Sequence, residues 1–562
     1  MGFWAKSLRI FNAFCDNATQ SIRQVAQCTG FSKSSVHRLK QAIERRDGYP
    51  ESWLWETAEG HGWLLRLVVA TLYIFGLKRG VGADSISEFF CRLRLESHVG
   101  CSPSALRGVM DVVEQAILET TAAWEQAGIA HGETRPIIGA VDETFLAHMM
   151  LVFMDLVSGY LLFEEVAEDR SYDTWHALVK ARLETLGVRV FYLVSDRAKA
   201  LIKLAETGLE CLSIPDLFHL LHDLVKGYSL AICSRLRQAQ QALQQAQERL
   251  ATCQTSHPDS PELQRAQALV ETSDAAVMYW ENVHSTYRHH LETVSWLVHP
   301  WRLVDSTRQT SADVECQLHA EIQALETLIA TSGLPGKKKV LDKVCKQLAG
   351  VSALVDVWWQ RVWQDVQHQV DLTPAWRQWI EEVLLPRMYW QEQLSRTRCP
   401  RRKAKLCEAW KAVQAAWERH PLTGQLAPAV RIGWETWASE HAKAFQRASS
   451  AVEGRNGYLS QMHHNHRGLP KGRYKVWTVL HNFDCRASDG TTPAARFFRR
   501  DFPDLFETVL AQIEELPRSR RRNQPIMYKN FKRTFCHPAA RTPQSRCCGM
   551  VVRTRVAATS PR

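Results

Sequence analysis

The sequence predicts a multidomain protein in which an α/β core with a mixed sheet is interrupted by a large helical insertion and preceded by a helical region. Two observations lead to this fold class. The chain has 562 residues, which is too long for a single hydrophobic core. Its apolar residues recur at helical spacing up to about residue 127, form strand-length runs after Pro136, and return to helical spacing from Leu236 to about Lys443. The predicted units are a helical region at 1–130, the first part of the core at 131–233, the insertion at 234–443, the final part of the core at 444–515 and a basic tail at 516–562.

Composition limits the class of protein and its partners. Hydrophobic residues make up 45% of the chain and charged residues 23%, which is typical of a folded globular protein. The net charge of +11 favours a polyanionic partner, and nucleic acid is the leading class. The 15 cysteines contain no C-x-x-C pair, and their odd number favours a reduced, intracellular protein.

Two segments of unusual composition have simple interpretations. The most apolar run, Trp63 to Leu77, contains Arg66 and is too short to cross a bilayer, so we expect a buried helix and no membrane association. After Leu516 the chain has no Asp or Glu and is rich in Arg, Pro and Ser, which predicts a disordered basic tail.

Within the helical region, residues 21–43 match a helix-turn-helix. Ala26, Gly30, Val36 and Leu39 provide the small residue, the turn and the apolar contacts that two closely packed helices require. The second helix would then offer DNA phosphates and base edges the polar residues Lys33, Ser34, Ser35, His37 and Arg38. A generic helical hairpin remains the alternative. A second, weaker match spans Ser85 to Ile117.

The core begins with three predicted strands and continues with alternating helices and strands. The predicted strands are Ile137–Phe145, Met149–Leu156, Tyr160–Val166, Val188–Val194 and Glu210–Ile214. A helix separates the third strand from the fourth, with Ser171 as its N-cap and Gly187 after its last turn. Another helix begins near Pro215. This order, β-β-β-α-β-α-β-α, is the layout of an RNase H-like core.

Three carboxylates are the candidate catalytic and metal-binding residues: Asp142, Asp196 and Glu453. Asp142 lies in an apolar strand, where an unpaired carboxylate is costly, and Asp196 follows the fourth strand at the edge where open sheets place their sites. The predicted layout makes these strands neighbours, and adjacent carboxylates repel each other unless cations neutralise them. Glu453, near the start of a later helix, would complete the set. Oxygen ligands favour two Mg²⁺ or Mn²⁺ ions, roughly 3.5–4 Å apart.

Structural roles for these acidic residues remain open. A lone Asp in a strand is usually a hydrogen-bonding residue of the fold, and the same alternative applies to Glu453. Glu143 is expected on the opposite face of the strand from Asp142, because strand side chains alternate, and Asp155 is expected in a hairpin.

The carboxylates lie in the segments Val141-Asp142-Glu143-Thr144, Val194-Ser195-Asp196-Arg197 and Ser450-Ala451-Val452-Glu453-Gly454-Arg455-Asn456. Through them the chain resembles bacterial insertion-sequence transposases of the DDE superfamily, which share the RNase H-like fold with retroviral integrases. The segments correspond to the family's first Asp, second Asp and final Glu. The resemblance covers residues 136–222 and 448–498, and the helical block between them lies where some relatives carry an insertion domain.

The resemblance implies a DNA transposase that binds transposon terminal inverted repeats and target DNA. It implies metal-dependent strand cleavage and strand transfer by direct phosphoryl transfer. By analogy it also implies a homodimer or larger homo-oligomer in the bacterial cytoplasm, associated with the nucleoid. Two alternatives stay open: an RNase H-like nuclease or resolvase without strand transfer, and a DNA-binding regulator with an inactive catalytic domain.

Further residues are candidates for supporting roles. His219 and His222 lie on one helical face with Asp216 and would line the site, although a capped helix with structural histidines explains them equally well. They lack a fourth partner at a recognisable spacing for zinc, so metal binding by these histidines is not expected. Arg455 follows Glu453 closely. Basic residues after it are predicted to attract the DNA backbone, among them Arg467, Lys471 and Arg473. Trp296 and Trp301 are candidates for stacking on a base extruded during cleavage, with core packing as the alternative.

Overall fold

A computed structural model of the protein describes residues 2–16, 19–129, 134–256, 261–335, 338–367, 373–465 and 472–519. Within these ranges the protein is mainly helical and contains one small mixed sheet. The predicted combination of α/β and all-α structure is therefore confirmed. The predicted basic tail lies outside the described residues from position 520 onward.

The N-terminal region is helical, as predicted. Its helices are α1 (Phe3–Asp16), α2 (Ile22–Thr29), α3 (Lys33–Arg46), α4 (Ala58–Thr71), α5 (Ala83–Arg92) and α6 (Pro103–Gly128), with a 3-10 turn at Ser52–Glu56 and a π-helical segment at Leu72–Lys78.

Helices α1 to α3 form a small unit with a hydrophobic core of its own. That core consists of Ile10, Val25, Val36 and Leu39. Gly30 follows α2 with a φ of +74°, a left-handed conformation that glycine adopts without steric cost, so the chain can turn at once into α3. The local sequence signals for two helices and a tight turn are thus confirmed.

The remaining N-terminal helices share the large hydrophobic core that also contains the sheet. One described helix, Ala58–Lys78, is long and apolar enough to cross a membrane by length and composition. Gly76 of this helix lies against Met110 of α6, where an added Cβ would be only 3.0 Å from the methionine Cε. One face of this helix is thus packed in the core, whereas Trp63, Ile74 and Phe75 are exposed, so the burial expected from the sequence is confirmed only in part.

A buried ion pair connects the small N-terminal unit to the rest of the chain. The Nη2 of Arg46, at the end of α3, donates hydrogen bonds to Glu56 at 2.7 Å and to Ser7 of α1 at 2.9 Å. The side chains of Arg46 and Glu56 are 10% and 5% exposed. Breaking a pair this well buried leaves an uncompensated charge, so the contact holds the unit to the 3-10 turn that follows it.

Five strands form one sheet in the described part of the chain. They are β1 (Arg135–Phe145), β2 (Met149–Asp155), β3 (Leu161–Ala167), β4 (Val188–Ser195) and β5 (Leu212–Pro215). Their order across the sheet is β3-β2-β1-β4-β5. β2 is antiparallel to β1 and β3, whereas β4 is parallel to β1 and β5. All five predicted strands are confirmed, with shifts of a few residues at their ends.

The connections between the strands follow their local sequence signals. Helix α7 (Tyr172–Leu186) has Ser171 as its N-cap, and Gly187 ends it with a φ of +61°. A short helix, α8 (Lys199–Lys203), and a π-helical segment at Leu204–Gly208 lead to β5. In the β2–β3 hairpin, Asp155 accepts hydrogen bonds from the backbone N–H groups of Ile138 at 3.2 Å and Ser158 at 3.0 Å. Asp155 is therefore a structural hairpin residue, as expected.

The regular elements of the insertion are helices in its described residues, apart from an isolated β-bridge between Trp301 and Arg308. Its helices are α9 (Leu217–Ser256), α10 (Pro261–Leu297), α11 (Ser311–Thr331), α12 (Lys338–Gln367), α13 (Pro374–Trp379), α14 (Leu385–Arg396), α15 (Pro400–Arg419), α16 (Pro421–Gln425) and α17 (Pro428–Ala444), with a π-helical segment at Ile380–Leu384. Helix α9 begins beside β5, is 40 residues long and extends into the insertion. The domain boundary predicted at residue 233 therefore falls inside one continuous helix.

The last part of the chain returns to the sheet. It contains α18 (Ser450–Asn465), α19 (Arg473–Asp484), α20 (Pro493–Phe498) and α21 (Leu505–Leu510). Helix α18 packs on β1 and β2, while α19 packs on β3 and α6. This return places the start of α18 near residues that precede the insertion.

Candidate metal centre

Asp142 lies close to the carboxyl end of β1, where the strand is paired with Val152 of β2. Its Oδ1 accepts a hydrogen bond from the N–H of Glu143 at 2.9 Å, and its Oδ2 accepts one from the Nδ2 of Asn456 at 2.8 Å. Asn456 lies one turn after Glu453 on α18. The carboxylate of Asp142 is therefore held by a residue from the far side of the insertion.

Glu453 and His219 complete a compact group with Asp142. Glu453 is in the first turn of α18, and His219 is in the first turn of α9. The Nε2 of His219 is 3.4 Å from the Oε1 of Glu453. Within the described residues, one ligand atom each from Asp142, His219 and Glu453 lie within 4.8 Å of one another. Two carboxylates and an imidazole at this separation are a suitable ligand set for a divalent cation.

The electrostatics of the group also favour a bound cation. Burial and the negative charge of Glu453 raise the pKa of Asp142 to about 7. Carboxylates pushed together in this way are stabilised by a cation between them. In addition, the Oδ1 of Asn456 is buried and has no hydrogen-bond partner among the described residues. The residues present therefore fit a metal ion.

Asp216 orients His219 and joins two distant segments. Its carboxylate accepts hydrogen bonds from the Nδ1 of His219 at 2.7 Å, from the backbone N–H of Ser449 at 3.2 Å and from the Ser449 hydroxyl. The pKa of His219 is raised to about 9, mainly by its hydrogen bond to Asp216. Since Nδ1 is bonded to Asp216, Nε2 is directed at Glu453, and a metal ion bound there would displace the Nε2 proton. Outer carboxylates orient metal-binding histidines in the same way in other proteins.

Replacing Asp216 with Asn should weaken metal binding by about 10–100-fold, because outer partners of metal ligands typically contribute that much. Titration of the full chain with Mn²⁺ by calorimetry measures the effect. Asp223→Asn is the matched control, since Asp223 lies on the same helix and pairs with Lys343 at 2.6 Å, outside the group. Unchanged Mn²⁺ affinity in a folded Asp216→Asn protein would count against this role.

Asp196 does not join the group formed by the other two predicted carboxylates. Strand β4 ends at Ser195, and Arg197 has a left-handed φ of +62°. The Oδ1 of Asp196 accepts a hydrogen bond from the N–H of Ala198 at 2.9 Å. Because the strand has already ended, the alternation of strand side chains does not set the direction of Asp196.

The negative charge of Asp196 acts instead on Glu143. Burial, followed by Asp196, raises the pKa of Glu143, while Arg170 at 3.9 Å opposes the shift. The side chain of Glu143 thus has different neighbours from the side chain of Asp142, as the alternation of side chains along β1 predicts. Asp196 and Glu143 therefore form a second acidic pair, apart from the group of Asp142, His219 and Glu453.

Two predicted supporting residues lie outside the group. His222 is exposed, and its ring stacks on that of Phe218 with the centroids 6.2 Å apart. Arg455 points away from the metal centre and is 5% exposed. Its Nε and Nη2 donate to the carboxylate of Glu164 at 2.6 and 2.7 Å. The prediction that Arg455 supports the active site is wrong, because a buried carboxylate occupies its guanidinium.

Most of the predicted DNA-contacting residues are accessible on α3. Lys33, Ser34, His37 and Arg38 are exposed, whereas Ser35 is half-buried and bonded to Ser32, the N-cap residue. Residues 1–46 contain eight Lys and Arg but only two acidic residues, so much of the net charge is located here. A basic, exposed second helix is what a helix-turn-helix presents to the major groove.

Replacing Lys33 and Arg38 together with Gln should weaken DNA binding and reduce the slope of log K against log salt by about 2, or about 1 for each phosphate contact. Fluorescence anisotropy at several salt concentrations measures this slope. Arg249→Gln, an exposed arginine on α9, is the control. A double variant with the wild-type slope would remove α3 from the interface.

The other predicted DNA-binding residues have different outcomes. Arg473 forms a partly buried ion pair with Glu114 at 2.6 Å, which corrects the prediction that it is available to DNA. Arg467 and Lys471 lie outside the described residues.

The two candidate stacking tryptophans differ in burial. Trp301 is fully buried, its ring is 5.1 Å from that of Trp359, and its Nε1 donates to the backbone carbonyl of Glu381 at 3.1 Å. It has no free face for a base, so that prediction is wrong. Trp296 is half-buried and lies against His299 and Arg402. Its role in stacking stays a prediction.

The fold and the site together define an α/β protein with a candidate metal centre made from segments on both sides of a helical insertion. Residues 380–525 match a family of unknown function (DUF6399), and this segment includes Glu453 but neither Asp142 nor His219. No curated protein matches the sequence.

Proposed function

We propose that this chain is a DDE-type DNA transposase that binds transposon ends and catalyses metal-dependent strand cleavage and strand transfer by direct phosphoryl transfer. One observation carries the proposal. Asp142 and Glu453 lie on opposite sides of the insertion in sequence, yet their carboxylates meet with His219 within 4.8 Å at the edge of the sheet. A pair of carboxylates held together in this way is suited to the cation that phosphoryl transfer requires.

The order of the strands supports an RNase H-like core as part of the proposal. Three antiparallel strands are followed by two parallel ones, and β1 lies at the centre of the sheet. Asp142 lies two residues beyond Ala140, the last residue of β1 paired with β4. The parallel strands therefore end beside the candidate site, which is where open α/β sheets carry ligands. Because one fold can host many functions, the residues of the site indicate the reaction more specifically than the strand layout does.

The ligand set bears on which cation is used. Mg²⁺ or Mn²⁺ would activate the attacking water or hydroxyl and stabilise the leaving oxygen. Asp142, Glu453 and His219 would hold one ion, and the imidazole suits Mn²⁺ better than Mg²⁺, which prefers oxygen ligands. Asp196 is the predicted ligand for a second ion, whereas Glu143, on the opposite face of β1 from Asp142, is not part of this ligand set. Asn456 and Asp216 keep Asp142 and His219 in position.

Recognition of the DNA ends is assigned to the small N-terminal unit, α1 to α3. The short turn at Gly30 between its second and third helices and the basic, exposed side of α3 support this assignment. The proposed partners are double-stranded transposon ends, ending in inverted repeats, and target DNA. Joining two ends calls for at least a homodimer, acting on DNA in the bacterial cytoplasm.

Strand transfer by the purified full chain tests the proposal. The DNA flanking the gene supplies the candidate inverted repeats, which are labelled and mixed with a supercoiled target in Mg²⁺ or Mn²⁺. The expected product is the labelled end joined covalently to the target, and omission of the metal should abolish it. Hydrolysis without joining would indicate a nuclease or resolvase. DNA binding without any cleavage in either metal would overturn the enzymatic proposal and indicate a regulator.

A further inference from the structure

A second basic surface lies where the insertion meets the core. It consists of Arg401, Arg402, Lys403 and Lys405 in α15 together with Arg447, which lies between α17 and α18. We call this group the α15 basic surface. The four α15 residues are exposed, and Arg447 is half-buried.

Two arginines of this surface converge on one serine. The Nη2 of Arg402 donates to the Oγ of Ser295 at 3.1 Å, and the Nη1 of Arg447 donates to the carbonyl oxygen of the same serine at 3.0 Å. Burial and the charge of Arg402 lower the pKa of Arg447, although Tyr389 opposes this effect. The two guanidinium groups are therefore held close enough to repel each other.

Among the described residues no ion pair is found for Arg402 or Arg447, and the carboxylate of Glu292 faces other cations. Glu292 lies 3.4 Å from the Nζ of Lys405 and 3.9 Å from Arg401. The Nη1 of Arg447 also donates to the carbonyl oxygen of Val298 at 2.8 Å. These contacts fix Arg447 in place without supplying a negative charge.

The position of these basic residues on α15 is also electrostatically unfavourable. The first turn of α15 contains no acidic residue, and its N-cap residue, Cys399, provides no side-chain hydrogen bond. Basic residues at a helix N-terminus are repelled by the partial positive charge of the helix dipole at that end. Local charge arrangements that work against stability in this way are frequently found at functional sites. An anion would relieve both the repulsion between the arginines and the unfavourable dipole.

We propose that the α15 basic surface binds the phosphate backbone of duplex DNA, with one phosphate held between Arg402 and Arg447. The surface is directly connected to the candidate metal centre. The carbonyl oxygen of Arg447 accepts the N–H of Leu217 at 3.1 Å, two residues before His219, and Ser449 binds Asp216. Part of the proposal is that DNA bound here extends to the metal centre. Its identity as the strand to be cut rests on the proposed function.

Equilibrium binding of the full chain to duplexes that carry or lack the element end tests this proposal. Arg402→Gln should weaken binding to both duplexes by at least about tenfold, as expected for a lost charge-assisted hydrogen bond. The slope of log K against log salt should fall by about 1. The matched control is Arg419→Gln at the other end of α15, which is also exposed and should bind normally.

A double-mutant cycle tests whether the two arginines share one phosphate. Arg447→Gln should weaken binding as well, and the double variant should lose less than the sum of the single losses, because both side chains contact the same group. Circular dichroism and thermal unfolding check each variant. If Arg447→Gln unfolds, the exposed Arg402→Gln and Arg402→Glu variants still decide the outcome.

Three results would overturn the inference: normal binding by both Arg402 variants, an equal loss in Arg419→Gln, or tighter binding of a duplex RNA of the same sequence. Failure of the proposed function looks different. If the wild-type chain binds DNA through Arg402 but never cleaves it, the transposase proposal fails and the proposed DNA-binding surface stands. If the wild-type chain transfers strands but the Arg402→Gln variant binds DNA normally, the transposase proposal stands and the DNA-binding surface is ruled out.

Discussion

Asp142→Asn and Glu453→Gln should each abolish metal-dependent DNA cleavage, with losses greater than about 100-fold, while DNA binding stays close to that of the wild type. Loss of an outer partner of a metal ligand already costs about 10–100-fold, and these substitutions remove a charged ligand itself. Each change also keeps the size of the side chain, so packing is preserved. Cleavage of a labelled end in Mn²⁺ and in Mg²⁺ measures the loss.

The matched control is Glu206→Gln, which replaces an exposed carboxylate between β4 and β5 and should leave cleavage unchanged. Calorimetric titration with Mn²⁺ separates a lost ligand from a lost fold, because the variants should bind the ion weakly and still unfold cooperatively. Full activity in Asp142→Asn or in Glu453→Gln would remove that residue from the site.

Asp196→Asn gives the sharpest test of how the site is completed. The proposed DDE chemistry expects this variant to be inactive as well, although the carboxylate of Asp196 lies outside the group of Asp142, His219 and Glu453. An inactive Asp196→Asn protein that still binds one Mn²⁺ would assign Asp196 to the second ion. An active one would mean that His219, rather than Asp196, is the third ligand.

The second large effect concerns stability. Arg455→Met should destabilise the protein by about 3–5 kcal/mol, because it leaves the carboxylate of Glu164 buried without its partner. The Glu164 side chain is fully buried, and it also accepts a hydrogen bond from the hydroxyl of Thr478 at 2.5 Å. Unfolding of the full chain in guanidinium chloride measures the loss in unfolding free energy for the transition that includes the sheet.

A double variant separates a structural role from a catalytic one. Glu164→Leu combined with Arg455→Met should recover most of the stability, since apolar replacement of a whole buried pair is often neutral. Arg107→Met is the control, because its pair with Asp84 is exposed and should contribute little. If Arg455→Met instead lost activity with unchanged stability, Arg455 would belong to the active site after all.

Local patterns predicted the elements of this fold well. The caps of α7 at Ser171 and Gly187, the turn at Gly30 and the apolar strand around Asp142 depend only on residues close in sequence. A serine cap or a left-handed glycine acts within one turn of backbone, so neighbouring residues suffice to identify it.

Side-chain direction was predicted less reliably. Arg455 stands next to a candidate ligand in sequence but points to Glu164, and Trp301 faces the core of the insertion. Asp196 lies just after its strand, where a left-handed residue redirects the chain. In each case the preferred partner comes from a distant segment, and no local signal distinguishes a buried pair from an exposed site.

The sequence by itself determined the helices, the strands, the tight turn between two helices near the N-terminus and the presence of acidic residues in suitable positions. Only the tertiary structure decided which of them meet. Asp142 and Glu453 are brought together because α18 returns to β1 and β2 after the insertion, and Asp216 ties the start of α9 to Ser449. The physical reason is that capping and periodicity act over a few residues, whereas a metal centre depends on repulsion and hydrogen bonding between groups that only packing makes neighbours.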